Sequence, residues 1–238
     1  MAASQPSVAS PPPLDAIIVG GGVSGIAAAR YLLRADPALR ITILEKGPGW
    51  GGTWLWNTYP GAACDVPSHW YSFSWALNPS WTRRFSSAPE IRGYLERSAA
   101  TLGLNAVFQT RSAVESATWD EAAASWVVSV RKDGATTELR ARFLVAGPGA
   151  LSTPCTPSLP GASTFAGASF HSGTWRGDIS LEGKRVGVIG TGCSSAQIVP
   201  EIAKSVSALT VFQRTPAWLT PVRLFSQGPH SPSSRVLR

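Results

Sequence analysis

Two glycine turns of the same type constrain this 238-residue chain more than any other feature. The first is Gly20-Gly21-Gly22-Val23-Ser24-Gly25 and the second is Gly190-Thr191-Gly192-Cys193-Ser194-Ser195. Each follows a short apolar run and opens a stretch with helical spacing. A strand, a glycine turn and a helix in that order bring free N–H groups and a positive dipole end to one point, where phosphate binds. One such turn is a weak signal. Two, with different charges at the sugar-reading position, point to a protein that holds two dinucleotides and moves electrons between them.

In the first motif, residues 16–19 predict a strand buried on both faces of a parallel sheet. Gly20 permits the turn, Gly22 lets the backbone approach a pyrophosphate, and Gly25 lets the helix pack against the strand. The helix runs through Ile26, Ala29, Leu32 and Leu33 and stops before Pro37. A second strand, residues 40–44, ends at Glu45, whose carboxylate suits ribose hydroxyls. The plainer alternative is a glycine-rich turn beside an incidental surface acid.

The second motif follows the strand 185–189, with Gly190 and Gly192 as the glycine pair and Ser195 in the last place. A helix is expected over about 194–205, kinked at Pro200. After the strand 209–212 come Gln213, Arg214 and Thr215. Arg214 stands where an NAD-binding chain carries an acid, and a guanidinium grips a 2′-phosphate with paired hydrogen bonds. The motif therefore favours NADP(H) over NAD(H); a solvated strand-end charge is the bland alternative.

Between the motifs lie Gly51-Gly52-Thr53-Trp54, then Asn57-Thr58-Tyr59-Pro60-Gly61-Ala62-Ala63-Cys64-Asp65, then Ser68, Tyr71, Phe73 and Ser74. Phe165, Gly167, His171 and Trp175 follow at the spacing Phe-x-Gly-x-x-x-His-x-x-x-Trp. This set, over roughly residues 14–222, resembles the class B flavoprotein monooxygenases and, within them, the Baeyer–Villiger monooxygenases. The fingerprint of that branch continues with Pro or Asp, where this chain has Arg176. Trp175 tilts the resemblance away from the N- and S-oxidising branch, which carries Tyr or Phe there.

The resemblance implies an FAD reduced by NADPH, reaction with O₂, and insertion of one oxygen atom into a ketone to give an ester or lactone. By the same resemblance, FAD is held by Gly20, Gly22, Gly25, Glu45, Gly52, Thr53, Trp54, Asp65, Tyr71 and Val114. NADP is held by Gly190, Thr191, Gly192, Ser194, Ser195, Gln197, Arg214 and Thr215. Asp65 is the one catalytic candidate, an acid that orients an arginine absent from these residues. His171 and Trp175 match a segment with a structural or hinge role as much as a chemical one.

The expected fold class is α/β: two Rossmann-like dinucleotide-binding units, the first carrying an antiparallel meander, both incomplete. The expected divisions are a disordered N-terminus (1–13), an FAD-binding part (14–153), an NADP-binding part (154–222) and an irregular tail (223–238). Residues 113–118, 126–131 and 136–142 alternate as strands of the meander, with Lys132-Asp133-Gly134 as a hairpin turn. Residues 143–145 return to the parallel sheet. Relatives by resemblance are much longer, so the chain reads as an N-terminal half, and weak FAD binding with little turnover is expected of it alone. A separate partner chain, an inactive remnant retaining one nucleotide site, and the N- or S-oxidising branch stay open as alternatives. A disulfide reductase does not, because no Cys-x-x-Cys exists.

Composition excludes other classes. Hydrophobic residues make up 44%, as in a folded α/β chain. The net charge of +7 comes from scattered Lys and Arg without a nucleic-acid motif. The apolar stretch 14–33 contains Asp15 and four glycines and reads as strand, turn and helix, not as a membrane span. Three dispersed cysteines fit a reducing compartment, with the cytoplasm as default. No metal site is expected. Most of the six tryptophans between Trp50 and Trp81 read as packing residues, with Trp54 the exception.

Overall fold

A computed structural model describes residues 14–219. The expected disordered N-terminus and the expected tail lie outside the described residues. The chain divides into two compact units: residues 1–49 with 102–148, and residues 50–101 with 149–238.

The first unit is built on one six-stranded sheet. Its strands are β1 (Leu14–Val19), β2 (Ile41–Leu44), β3 (Phe108–Gln109), β4 (Ser112–Asp120), β5 (Ser125–Lys132) and β6 (Ala135–Ala146), in the order β3-β2-β1-β6-β5-β4. The apolar runs of β1 and β2 pair in parallel, and Ile17, Ile18 and Ile43 are fully buried. Helix α1 (Val23–Ala35) connects them and buries Gly25, Ile26 and Ala29. It ends before Pro37, as the ring requires.

Strand β6 holds the unit together. The sequence splits it into a meander strand and a separate return strand; the structure has one continuous strand of 12 residues. Its first half pairs antiparallel with β5, and its second half pairs parallel with β1. Ala141 belongs to both pairings and is fully buried. The reason is geometric: a strand has two edges, so one strand can serve a meander and a parallel sheet without a break. The core under it comprises Ile17, Leu44, Val128, Val130 and Ala141. The hairpin from β5 to β6 turns on Asp133 (φ 49°) and Gly134 (φ 83°), the paired left-handed geometry that tight hairpins need.

The second unit contains α2 (Thr53–Trp56), α3 (Ala88–Thr101), β7 (Arg185–Ile189), α4 (Cys193–Ile202) and β8 (Ala208–Phe212). Helix α3 has no counterpart in the sequence reading, although its signal is present. Pro89 and Glu90 start it, and Ile91, Tyr94, Leu95, Ser98 and Ala99 recur at helical spacing and are buried. Strands β7 and β8 form a two-stranded parallel sheet. Helix α4 ends three residues short of the expected Ser205, and Pro200 lies inside it without interrupting it. Its ring removes one N–H from the helix, and the Ala203 N–H still donates to the Val199 carbonyl at 3.0 Å beyond it.

Candidate functional site: two glycine grips and a clamped loop

The first grip lies wholly in the first unit. Gly20 has φ 104°, and its N–H donates to the Leu44 carbonyl at 2.8 Å. The Gly147 carbonyl stands where a Gly20 β-carbon would go, and the Gly20 carbonyl stands where a Gly25 β-carbon would go. Gly147 is itself tied to β1, its N–H donating to the Val19 carbonyl at 2.9 Å. Sequence reasoning gave Gly25 its packing role; the second clash, with residue 147, was invisible because it joins distant segments. Helix α1 begins on Gly22 with no side chain capping its first turn and no acid in it, so those N–H groups are available to an anion.

Glu45 closes this grip. It is 5% exposed, and its two carboxylate oxygens accept from the Gly21 N–H at 2.7 Å and the Gly47 N–H at 2.6 Å. A carboxylate has about four acceptor positions, so capacity for sugar hydroxyls remains. The Phe108 ring lies against Gly21, where an added β-carbon would come within 2.8 Å of it. Val114 sits on β4, half-buried against the sheet core, beside a register shift between Val114 and Ser116.

Five more expected FAD contacts, Gly52, Thr53, Trp54, Asp65 and Tyr71, fall in the second unit. Gly52 caps the one-turn helix α2, which carries Thr53 exposed and Trp54 half-buried. The Trp54 indole N–H donates to the Tyr71 hydroxyl at 3.0 Å, and the two rings meet edge-on with centroids 5.6 Å apart. Burial pushes the Tyr71 hydroxyl above its ordinary value, so it stays protonated. Asp65 is exposed at the end of the 57–65 loop. Its neighbour Cys64 is buried, and burial raises that thiol too.

That loop is clamped on one side by the start of α3. The Ala88 N–H donates to the Ala62 carbonyl at 2.8 Å, and the Cys64 N–H donates to the Ser86 carbonyl at 3.0 Å. Behind it the Ser68 and Ser86 hydroxyls share a buried hydrogen bond of 2.7 Å. Tyr94 pins the tryptophan-rich segment, accepting from the Phe73 N–H and donating to the Ala76 carbonyl. A cavity of about 710 Å³ opens beside the loop, lined in part by Trp54, Tyr59, Ala63, Arg83, Arg92 and Glu201. The tryptophans divide: Trp50 and Trp81 are core residues, whereas Trp70 is 81% exposed.

The second grip lies in the second unit. Gly190 repeats the left-handed turn (φ 105°), and its N–H donates to the Phe212 carbonyl at 2.9 Å. Helix α4 starts on Gly192, again without a side-chain cap or a first-turn acid. The Thr191 hydroxyl donates to the Thr215 carbonyl at 3.3 Å, which brings the end of β8 beside the turn. Arg214 is exposed there, and among the described residues no carboxylate forms an ion pair with it. Ser194 and Gln197 turn instead toward the 57–65 loop. Ser194 donates to the Tyr59 hydroxyl at 3.4 Å, and Gln197 bonds Tyr59 and Ala63.

The fingerprint segment is ordered by local bonds. His171 Nδ1 accepts from the Gly173 N–H at 3.0 Å, Phe170 meets Trp175 edge-on, and Arg176 forms a two-point pair with Asp178 at 2.8 and 2.6 Å. Among the described residues no helix is long and apolar enough to cross a membrane.

The chain is similar to known proteins in sequence and in fold. A family model for an NAD(P)-binding Rossmann-like domain matches residues 18–87. The model for L-lysine 6-monooxygenase/L-ornithine 5-monooxygenase matches residues 80–221. The chain is 45% identical over 204 residues to a Baeyer–Villiger monooxygenase of Streptomyces coelicolor, covering 86% of this chain and 38% of that one. A cyclohexanone monooxygenase crystal structure with bound epsilon-caprolactone superposes with a TM-score of 0.84 at 38% identity, covering 91% of this chain and 42% of that one. The structure of OTEMO in complex with FAD and NADP gives 0.80 at 36% identity, covering 89% and 41%. The chain thus spans about two-fifths of the length of the proteins it matches. It belongs to the class B flavoprotein monooxygenase family, that of the Baeyer–Villiger and flavin-containing monooxygenases.

Proposed function

We propose that this chain holds FAD at its first glycine grip and NADPH at its second, as part of an enzyme that inserts one oxygen atom of O₂ into a small ketone to form an ester or lactone. The observation that carries the reading is the pair of uncapped helix starts with opposite charge beside them, buried Glu45 at one and exposed Arg214 at the other. The first grip fits an adenine dinucleotide because its backbone leaves no room for side chains at Gly20 and Gly25, while its first-turn N–H groups stay open. The OTEMO structure of matching fold holds FAD and NADP, which supports the same pair here.

In this reading Gly20, Gly22 and Gly25 admit the FAD pyrophosphate, and Glu45 accepts from its ribose. Val114 borders the adenine. Gly52, Thr53, Trp54 and Tyr71 belong to the flavin ring, with Tyr71 fixing the tilt of Trp54. Gly190, Thr191, Gly192, Ser194 and Ser195 belong to the NADPH pyrophosphate, and Arg214 with Thr215 to the 2′-phosphate. Bound FAD supplies the redox chemistry with O₂; the protein supplies placement and charge. Asp65 is assigned the orienting acid of the reaction. The expected FAD part (14–153) and NADP part (154–222) are retained as functional assignments.

The test is a titration of the purified chain with FAD, NADP⁺ and NAD⁺, followed by assay with NADPH and a panel of ketones, amines and sulfides. Weak FAD binding, tighter NADP⁺ than NAD⁺, and lactone from a cyclic ketone at only a low rate are expected of the chain alone. Arg214→Ala should weaken NADP⁺ by roughly tenfold or more, the worth of charge-assisted hydrogen bonds, and leave NAD⁺ unchanged. Equal affinity for both nucleotides in wild type would remove the assignment of Arg214. N-oxide or sulfoxide without ketone oxidation would move the chemistry to the other branch.

A further inference from the structure

The side-chain amide of Gln197 is used completely, and by a loop rather than by open space. Its Oε1 accepts from the Ala63 N–H at 3.3 Å and from the Tyr59 hydroxyl at 3.1 Å, and its Nε2 donates to the Ala63 carbonyl at 2.8 Å. This two-point pairing with the N–H and carbonyl of one residue copies the bonding of neighbouring strands. Ser194, one turn earlier on α4, adds its bond to Tyr59. Gly61 presses against the same helix: a β-carbon there would lie 2.5 Å from the Gln197 carbonyl and 3.0 Å from the Glu201 side chain. Asp65 follows two residues after Ala63. The loop is therefore fixed to α4 on one side and to the start of α3 on the other.

We propose that Gln197 is a positioning residue: it fastens the Asp65-bearing loop to the helix that opens the second glycine grip, so that a nucleotide filling that grip sets the order of the loop. The coupling rests on reading the second grip as the NADPH site. Helix α4 is the shared element. Its first-turn N–H groups face the nucleotide position, and its Ser194 and Gln197 side chains hold Tyr59 and Ala63. A nucleotide that steadies α4 steadies the loop through four hydrogen bonds and one close backbone contact. Without them the loop keeps only its α3 side.

Amide hydrogen exchange of the 238-residue chain tests this, with and without NADP⁺, on wild type, Gln197→Met and Tyr59→Phe. Methionine keeps the length of glutamine and removes its polar atoms; phenylalanine removes one hydroxyl and keeps the ring. Exchange over residues 94–101 checks that each variant is folded. Without nucleotide, exchange over 59–65 should rise roughly tenfold in Gln197→Met and less in Tyr59→Phe, as expected for losing about one net hydrogen bond's worth of protection. NADP⁺ should slow exchange of this loop in wild type and leave it unchanged in Gln197→Met, although that variant still binds NADP⁺ more tightly than Arg214→Ala does. Unchanged loop exchange in folded Gln197→Met overturns the proposal. So does a loss of NADP⁺ affinity matching Arg214→Ala with the loop still protected, which would make Gln197 a nucleotide ligand. If wild type binds no NADP⁺, the reading of the second grip falls and the coupling with it, while the nucleotide-free comparison still decides the fastening.

Discussion

The two glycine turns have nearly the same letters and very different surroundings. At the first, carbonyl groups occupy the space beside Gly20 and Gly25, and the flanking strands are buried. At the second, among the described residues nothing lies within 4 Å of a β-carbon built on Gly190 or Gly192. Its strands β7 and β8 have no further neighbour among the described residues, and Ile189 and Phe212 are 66% and 57% exposed. The motif dictates the turn in both places, as the matching φ angles at Gly20 and Gly190 show. The neighbours dictate what each glycine is worth to folding. In the first grip glycine is a steric requirement of the apoprotein; in the second, Gly190 is required by its φ of 105°, whereas Gly192 becomes a requirement only when a ligand fills the turn.

The sharpest way to break this contrast is the same substitution at both sites. Gly25→Ala puts a methyl group into the Gly20 carbonyl, and backbone on both sides leaves little room to relax. A loss of about 3 kcal/mol or more is expected, at the upper end of overpacking costs. Gly192→Ala meets open space at an ordinary φ of −72° and should stay within about 1 kcal/mol of wild type, the usual range for changing a helix cap. Urea unfolding of both variants gives the comparison, and equal losses would abolish it.

Charge follows the same division. Glu45 is buried with both oxygens on backbone N–H groups. Glu45→Gln keeps the shape but turns an NH₂ toward one of those donors, leaving it unsatisfied, at a cost of about 2 kcal/mol. Arg214→Ala, at an exposed position, should change stability by no more than about 0.5 kcal/mol. If urea midpoints showed Glu45→Gln to be silent, its carboxylate would not be holding the turn, and only a ligand role would remain for it.

The contrast also explains what the sequence made legible. Parallel strands and glycine turns were readable because a buried strand is a run of apolar letters and a tight turn needs glycine. The Asp133-Gly134 hairpin was readable for the same local reason. Strand β6 was not seen as one piece, because Phe143 is exposed and its polar first half alternates differently from its second. Helix α3 is also written in local letters, with Pro89 and Glu90 at its start and Ile91, Tyr94, Leu95, Ser98 and Ala99 at helical spacing. The bonds from Gln197 to Ala63, and the Gly147 carbonyl beside Gly20, join residues far apart in the chain. No local pattern encodes such meetings; the letters showed that Gln197 stands in the motif, not which way its amide turns.

The smallest expected effect comes from the most ideal ion pair. Arg176 grips Asp178 with two hydrogen bonds, which pull its carboxyl from the ordinary 3.8 down to about 2. A lowered carboxyl favours the folded state above the ordinary carboxylate range, and that contribution disappears as pH falls from about 4 through 2. Both side chains are more than half exposed, so water and salt screen the pair. Asp178→Asn should therefore lower the melting temperature only slightly at neutral pH. The difference should vanish near pH 2 and shrink in about 1 M salt, where screening reaches only a few ångströms. The loss from Glu45→Gln should persist in that salt, because its bonds are shielded from solvent. If Asp178→Asn cost as much as Glu45→Gln, geometry rather than burial would govern the worth of a charge here, and the division between the two regions would have to be redrawn.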